Sequence, residues 1–156
     1  MKYLSVTVVV LSIVMVSCRN GSEDSGKPVI GVSILPQQYF IDRIAGNLVE
    51  VLVMIPPGAS PATYEPTMGQ LSKLSRASSY LRIGYVEFEL SWMDKIASTN
   101  PDMKITDLSR DIVTVDGPHQ DEPEHSGHVH EGIDPHIWMS LVNAKFIAKN
   151  TFEVLS

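Results

Sequence analysis

The hydrophobic positions of this chain fall into short blocks whose period switches repeatedly between that of a strand and that of a helix. Residues 29–35 (VIGVSIL) are β-branched and mostly apolar on both faces, and Pro36 closes them, which is how a strand buried in a parallel sheet reads. Residues 37–45 then place Phe40, Ile41, Ile44 and Ala45 at helical spacing, and Gly46 stops the pattern. Residues 49–55 (VEVLVMI) form a second apolar strand and complete a βαβ unit. The alternation continues more faintly with a helix over 68–77, a strand over 80–83, a helix over 88–97 and a strand over 104–107. Such alternation predicts an α/β fold with a parallel sheet flanked by helices. Its ligands are expected on the loops that follow the carboxyl ends of the strands.

Two segments break this rhythm. Residues 116–134 show no apolar period and are rich in Gly, Pro, His and acidic side chains, as expected of a long irregular surface segment. From Ser140, well placed as an N-cap, the pattern is helical through Ser156. Lys145, Lys149 and Glu153 form one polar stripe, while Leu141, Val142, Phe146, Ile147, Ala148, Phe152, Val154 and Leu155 cover most of the remaining circumference. A helix apolar over so much of its surface expects neighbours on more than one side, and one small lobe supplies only some of them. The expectation is therefore a fragment or truncated product, with a second lobe normally following.

The first residues change the compartment rather than the fold. Lys2 supplies a short basic region and residues 4–16 a nearly unbroken apolar run, shorter than the ~20 residues that span a bilayer. Residues 1–17 thus read as an export signal. Met15-Val16-Ser17-Cys18 resembles a bacterial lipobox, with Cys18 as the lipidated first residue of the mature chain. It is the only cysteine, so no internal disulfide can form. Residues 18–27 lack large apolar side chains and read as a flexible tether. The expected order is then an α/β lobe over 28–139 and the start of a long helix over 140–156. The protein is expected on the periplasmic or cell-surface side of a bacterial membrane, attached by lipid and not spanning it. The net charge of −6, with no basic cluster beyond the signal, disfavours nucleic acid and anionic membrane surfaces and favours cations.

Candidate chemistry is concentrated. All five histidines lie between His119 and His136, among Asp121, Glu122, Glu124, Glu131 and Asp134. Neutral imidazole is the commonest ligand for zinc and its neighbours, and carboxylates complete such sites. His119, His125, His128 and His130 suit loose capture and fast exchange of metal; the competing reading is a solvated or pH-sensitive loop. His136 differs, because Pro135, Trp138 and the capped helix constrain it on both sides, as a defined ligand requires. Asp134 is close enough to accept a hydrogen bond from its non-ligating nitrogen. The competing reading here is a lone histidine packed on Trp138. A zinc hydrolase would need a general base beside an open metal position, and no His-Glu-x-x-His or comparable spacing occurs.

Asp134-Pro135-His136-Ile137-Trp138, followed by Asn143-Ala144-Lys145, resembles the DPHxW...NA motif of the cluster A-I solute-binding proteins, a zinc- and manganese-binding family. Residues 30–36 resemble that family's opening strand, residues 54–61 (MIPPGASP) its first binding loop, and Tyr64-Glu65-Pro66-Thr67 the continuation of that loop. The histidine-rich acidic insertion before DPHxW is typical of zinc-specific members. The resemblance implies two α/β lobes joined by a long rigid helix, with a metal held between them by roughly four protein ligands. His136 corresponds to the second ligand; the third and fourth would lie in the other lobe. Where the family commonly has Pro-His-x-Tyr, this chain has Pro61-Ala62-Thr63-Tyr64, so the first ligand is absent. The substitutes are a histidine of the loop, ranked first, then Glu65, a water, or an altered specificity. The implied role is a substrate-binding lipoprotein of an ABC importer, with a divalent metal ion as cargo (Zn2+, or Mn2+) and a membrane permease as partner, and no enzymatic activity. The alternative is a surface adhesin or metal-buffering lipoprotein using the histidine loop alone.

Overall fold

The computed structural model describes residues 26–112, 114 and 134–156. The sheet has four strands: β1 (Val29–Val32), β2 (Glu50–Val53), β3 (Ser79–Arg82) and β4 (Lys104–Asp107). All pairings are parallel and the spatial order is β2-β1-β3-β4, with Ile30 opposite Val51 on one side and Ser79 on the other, and Leu81 opposite Thr106. Between the strands run α1 (Leu35–Ala45), α2 (Met68–Leu74) and α3 (Glu87–Thr99); a 3-10 turn (Ile137–Met139) then leads into α4 (Leu141–Leu155). α1 packs on α4 and α2 on α3, so helices flank the sheet as the alternation of patterns predicts. Among the described residues no helix is long and apolar enough to cross a membrane.

The strands carry the core. Ile30, Val32, Leu81 and Ile83 are buried together with Ile41 of α1, Ile96 of α3, Leu108 after β4 and Ile147 of α4. Gly31 at the centre of β1 is a matter of close approach: a methyl group there would lie 2.6 Å from Cδ2 of Tyr80 and 2.9 Å from Cδ1 of Leu74. Only hydrogen fits between the strand and the Tyr80 ring.

The expected strand over 29–35 is cut short at Val32, and the reason is one side chain. Gln37 accepts from the backbone N–H groups of Ser33 and Ile34, both at 3.0 Å, and donates to the carbonyl of Leu81 at 2.6 Å. It turns the chain into a helix at Leu35 while tying that turn to β3. Pro36 therefore stands in the first turn of α1 rather than at a strand end. Its fixed φ suits that place and its missing N–H has no partner to lose there. α2 begins at Met68 as expected but stops at Leu74. Its start is a capping box in which Thr67 Oγ1 accepts from the N–H of Gln70 and Gln70 Oε1 from the N–H of Thr67.

α4 is only partly what its composition suggests. Ser140 caps it, accepting from the N–H of Asn143, and the Lys145, Lys149, Glu153 stripe is exposed. The inward face, however, buries Asn143, Asn150 and Thr151 beside Ile147, while Leu141, Val142 and Phe152 are exposed. Asn150 Nδ2 donates to the carbonyls of Leu108 and Arg110, each at 2.9 Å, and so fastens the helix to the chain leaving β4.

Candidate metal centre

Three loops converge at the carboxyl ends of the strands. The loop after β2 is a series of turns: the N–H of Ala59 bonds the carbonyl of Pro56, and those of Thr63 and Tyr64 bond that of Ser60. Gln70 braces this loop from below, its Oε1 accepting from the Tyr64 hydroxyl at 2.8 Å and its Nε2 donating to the carbonyl of Met54 at 2.7 Å. Ala62 is exposed at the top of it.

The loop after β3 is held by a buried carboxylate. Glu89 accepts from the N–H of Ile83 at 2.8 Å and of Gly84 at 2.7 Å, and from the hydroxyl of Ser33, which in turn meets the Tyr80 hydroxyl at 2.8 Å. Gly84 sits at φ 102°, where an L side chain is strained, and a methyl group there would also meet Ser109 Oγ at 2.7 Å. Arg82 Nε lies 3.6 Å from Glu89 and 3.4 Å from Asp107; it forms ion pairs with both but a hydrogen bond with neither. Burial pushes the Glu89 carboxyl above the usual carboxylate range, against the hydrogen bonds and Arg82, which pull it down. This network sets the direction in which α3 starts and hence the position of Glu87, its first residue.

The third segment carries His136. Asp134 Oδ1 accepts from the backbone N–H of His136 at 2.9 Å and lies 2.8 Å from its Nδ1. The backbone N–H of His136, and then its imidazole, hold the Asp134 carboxyl below its ordinary range. An ionised carboxylate only accepts, so Nδ1 carries the proton, and in the neutral ring the lone pair is on Nε2. That is the arrangement of a histidine prepared to bind a metal. The ring lies against Trp138, 5.3 Å between centroids, and buried Ile137 anchors the turn beneath it.

These loops enclose a cavity of about 220 Å³, lined by Ser60, Pro61 and Ala62 after β2, Val86 and Glu87 after β3, and Pro135, His136 and Trp138. His136 also lines an adjoining cavity of about 180 Å³ with Asp134, Met139 and Asn143. The expected ligand position at Ala62 and His136 are thus brought to one site. Glu65 is not: it is exposed and lines neither cavity. His119, His125, His128, His130 and Cys18 lie outside the described residues. Glu87 was not anticipated, although an acidic residue opening the helix after a strand was visible in the sequence. Among the described residues no three His, Cys, Asp or Glu side chains gather into a metal-binding group.

Residues 30–156 match the family model described as ZnuA, zinc-uptake complex component A, periplasmic. The chain belongs to this family. It is 28% identical over its whole length to the zinc-binding lipoprotein AdcA of Streptococcus pneumoniae serotype 4 (strain ATCC BAA-334 / TIGR4), of which it covers 32%. Over 92% of the chain it is 27% identical to the manganese ABC transporter substrate-binding lipoprotein PsaA of Streptococcus mitis, covering 47% of that protein. Among solved structures, a ZnuA deletion mutant (138-173) with zinc bound superposes with a TM-score of 0.70 at 38% identity, covering 83% of this chain and 46% of the other. The chain therefore spans about a third to a half of the length of the ZnuA-family relatives it matches. The parallel sheet flanked by helices is the lobe fold of these ZnuA-like proteins.

Proposed function

We propose that this chain is the lobe of a substrate-binding lipoprotein that captures a divalent metal, zinc foremost, for an ABC importer. The observation that carries the reading is the Asp134–His136 pair: a ring locked through Nδ1 at 2.8 Å, its other nitrogen free, on the wall of a cavity at the strand ends. Topology supports it as well. The crevice of an open parallel sheet lies where consecutive connections part to opposite sides, and here β1 leads to β2 on one side and has β3 on the other.

On this reading the cargo is held between this lobe and a second one that supplies the remaining ligands, and α4 is the start of the helix joining them. The exposed Leu141, Val142 and Phe152 would then be covered by that second lobe. His119, His125, His128 and His130 collect metal loosely and exchange it quickly. Cys18 carries the lipid that keeps the protein at the outer face of the membrane, next to the permease that receives the metal. Zinc is placed before manganese because the histidine content favours a borderline metal over a hard one.

The test is zinc titration of the full-length protein by competition with a chromophoric chelator, with His136→Ala beside the wild type. We expect the variant to lose at least a hundredfold in affinity. Unchanged affinity would remove His136 from the site. Parallel titration with manganese decides the order of the two metals: tighter manganese binding would reverse it.

A further inference from the structure

The cavity beside His136 has a second wall, and Ala62 leaves that wall without the expected imidazole. We infer that Glu87 supplies the missing ligand, its carboxylate binding the captured metal opposite His136. The inference rests on the metal-capture reading above and names a residue of that same site.

Three observations carry it. Glu87 lines a cavity that also holds Ala62 and His136, whereas Glu65, the acidic alternative nearest in sequence, does not. The residue is partly buried, and its carboxylate has no hydrogen bond or ion pair with any described residue. A carboxylate on a cavity wall with no donor of its own is open to a cation. The contrast with Glu89, two residues further on, is instructive: that carboxylate is met by two backbone N–H groups, a hydroxyl and Arg82. Arg82 is engaged between Glu89 and Asp107, and Lys95 lies over the Trp92 ring at 4.3 Å. Glu87 is left facing the cavity.

Its backbone is also fixed. The bonds from Glu89 hold the turn just before it, and Phe88 just after it is buried at 1% exposure. A ligand must be held by its surroundings rather than by the metal alone, and Glu87 meets that condition. With a water occupying roughly 30 Å³, the cavity of about 220 Å³ has room for a cation and several further ligands. One imidazole nitrogen and one carboxylate oxygen form a mixed pair that suits both zinc and manganese. This fits relatives named for each metal.

The experiment is zinc titration of the full-length protein as wild type, Glu87→Gln, Glu65→Gln, His136→Ala and the double variant Ala62→His with Glu87→Gln. Zinc-edge X-ray absorption of the loaded wild type and Glu87→Gln reports the ligand atoms directly. We expect Glu87→Gln to weaken zinc at least tenfold with an unchanged melting temperature of the metal-free protein, and Glu65→Gln to have no effect. The double variant should regain affinity through its new imidazole. The absorption spectrum of Glu87→Gln should show a changed first coordination shell, with the carboxylate oxygen replaced by water or amide oxygen. An affinity within twofold of wild type in Glu87→Gln, while His136→Ala loses binding, would overturn the assignment of Glu87 and leave the capture site standing. Unchanged affinity in both variants would overturn the metal-capture reading and this inference with it.

Discussion

The tightest point of the fold gives the sharpest test of how the core supports the site. In Gly31→Ala the new methyl group would lie 2.6 Å from Tyr80 Cδ2 and 2.9 Å from Leu74 Cδ1. Carbon atoms rest at about 3.5–4.0 Å, so the ring must retreat by about 1 Å. It has little freedom to do so. Tyr80 is fully buried, and its hydroxyl is bound at 2.8 Å to Ser33, which also binds Glu89. Overpacking typically costs about 1–3 kcal/mol, and two contacts this short against an anchored ring place Gly31→Ala near 3 kcal/mol. In a domain of this size that lowers Tm by about 10 °C. Urea and thermal unfolding, followed by far-UV circular dichroism, measure both quantities. Adding Tyr80→Leu should relieve the clash, so that the double variant is more stable than the sum of the single costs by at least ~1 kcal/mol. A cost below ~0.5 kcal/mol for Gly31→Ala alone would refute the argument, since β1 would then have room it is here said to lack.

Asp134→Asn keeps an acceptor for the His136 N–H but loses the negative charge that holds Nδ1–H, so zinc affinity should fall by about 10–100-fold; equal affinity in a competition titration would show that Asp134 does not orient the ring. Asn150→Ala leaves the carbonyls of Leu108 and Arg110 without their buried donor and should cost about 1–3 kcal/mol in urea unfolding. Glu89 gives a pH signature. Its carboxyl is raised in the folded state by burial, so the folded protein binds the proton more tightly than the unfolded chain does. The resulting stabilisation is full below the ordinary carboxylate value of about 4.3 and is lost as pH rises through the raised value. Urea midpoints of wild type should therefore decline relative to Glu89→Gln as pH is raised from 4.5; parallel profiles would contradict the raised value.

What could be read from the sequence alone, and what could not, divides along the reach of each interaction. β4 falls on residues 104–107 as its hydrophobic pattern predicts, because strand and helix periods are properties of neighbouring residues. His136 was equally legible: Asp134 and Trp138, each two positions away, are what hold it. Gln37, Gln70 and Glu89 were not. Each is a polar residue within an amphipathic helix, where periodicity assigns it to solvent, yet each binds a group from a distant segment, 44, 16 and 56 positions away respectively. These three side chains end β1, brace the Ala62 loop and aim α3, so the shape of the cavity depends on contacts that no local pattern encodes. The same division explains the site. That Ala62 stands where the resembled motif carries an imidazole is visible in the sequence, because a motif is local. Its replacement is not, because Glu87 reaches the Ala62 and His136 loops only through the β2-β1-β3-β4 order of the sheet. A histidine lost from one loop is therefore more economically compensated by a carboxylate already held on the facing loop than by Glu65, which is close in sequence but lines neither cavity.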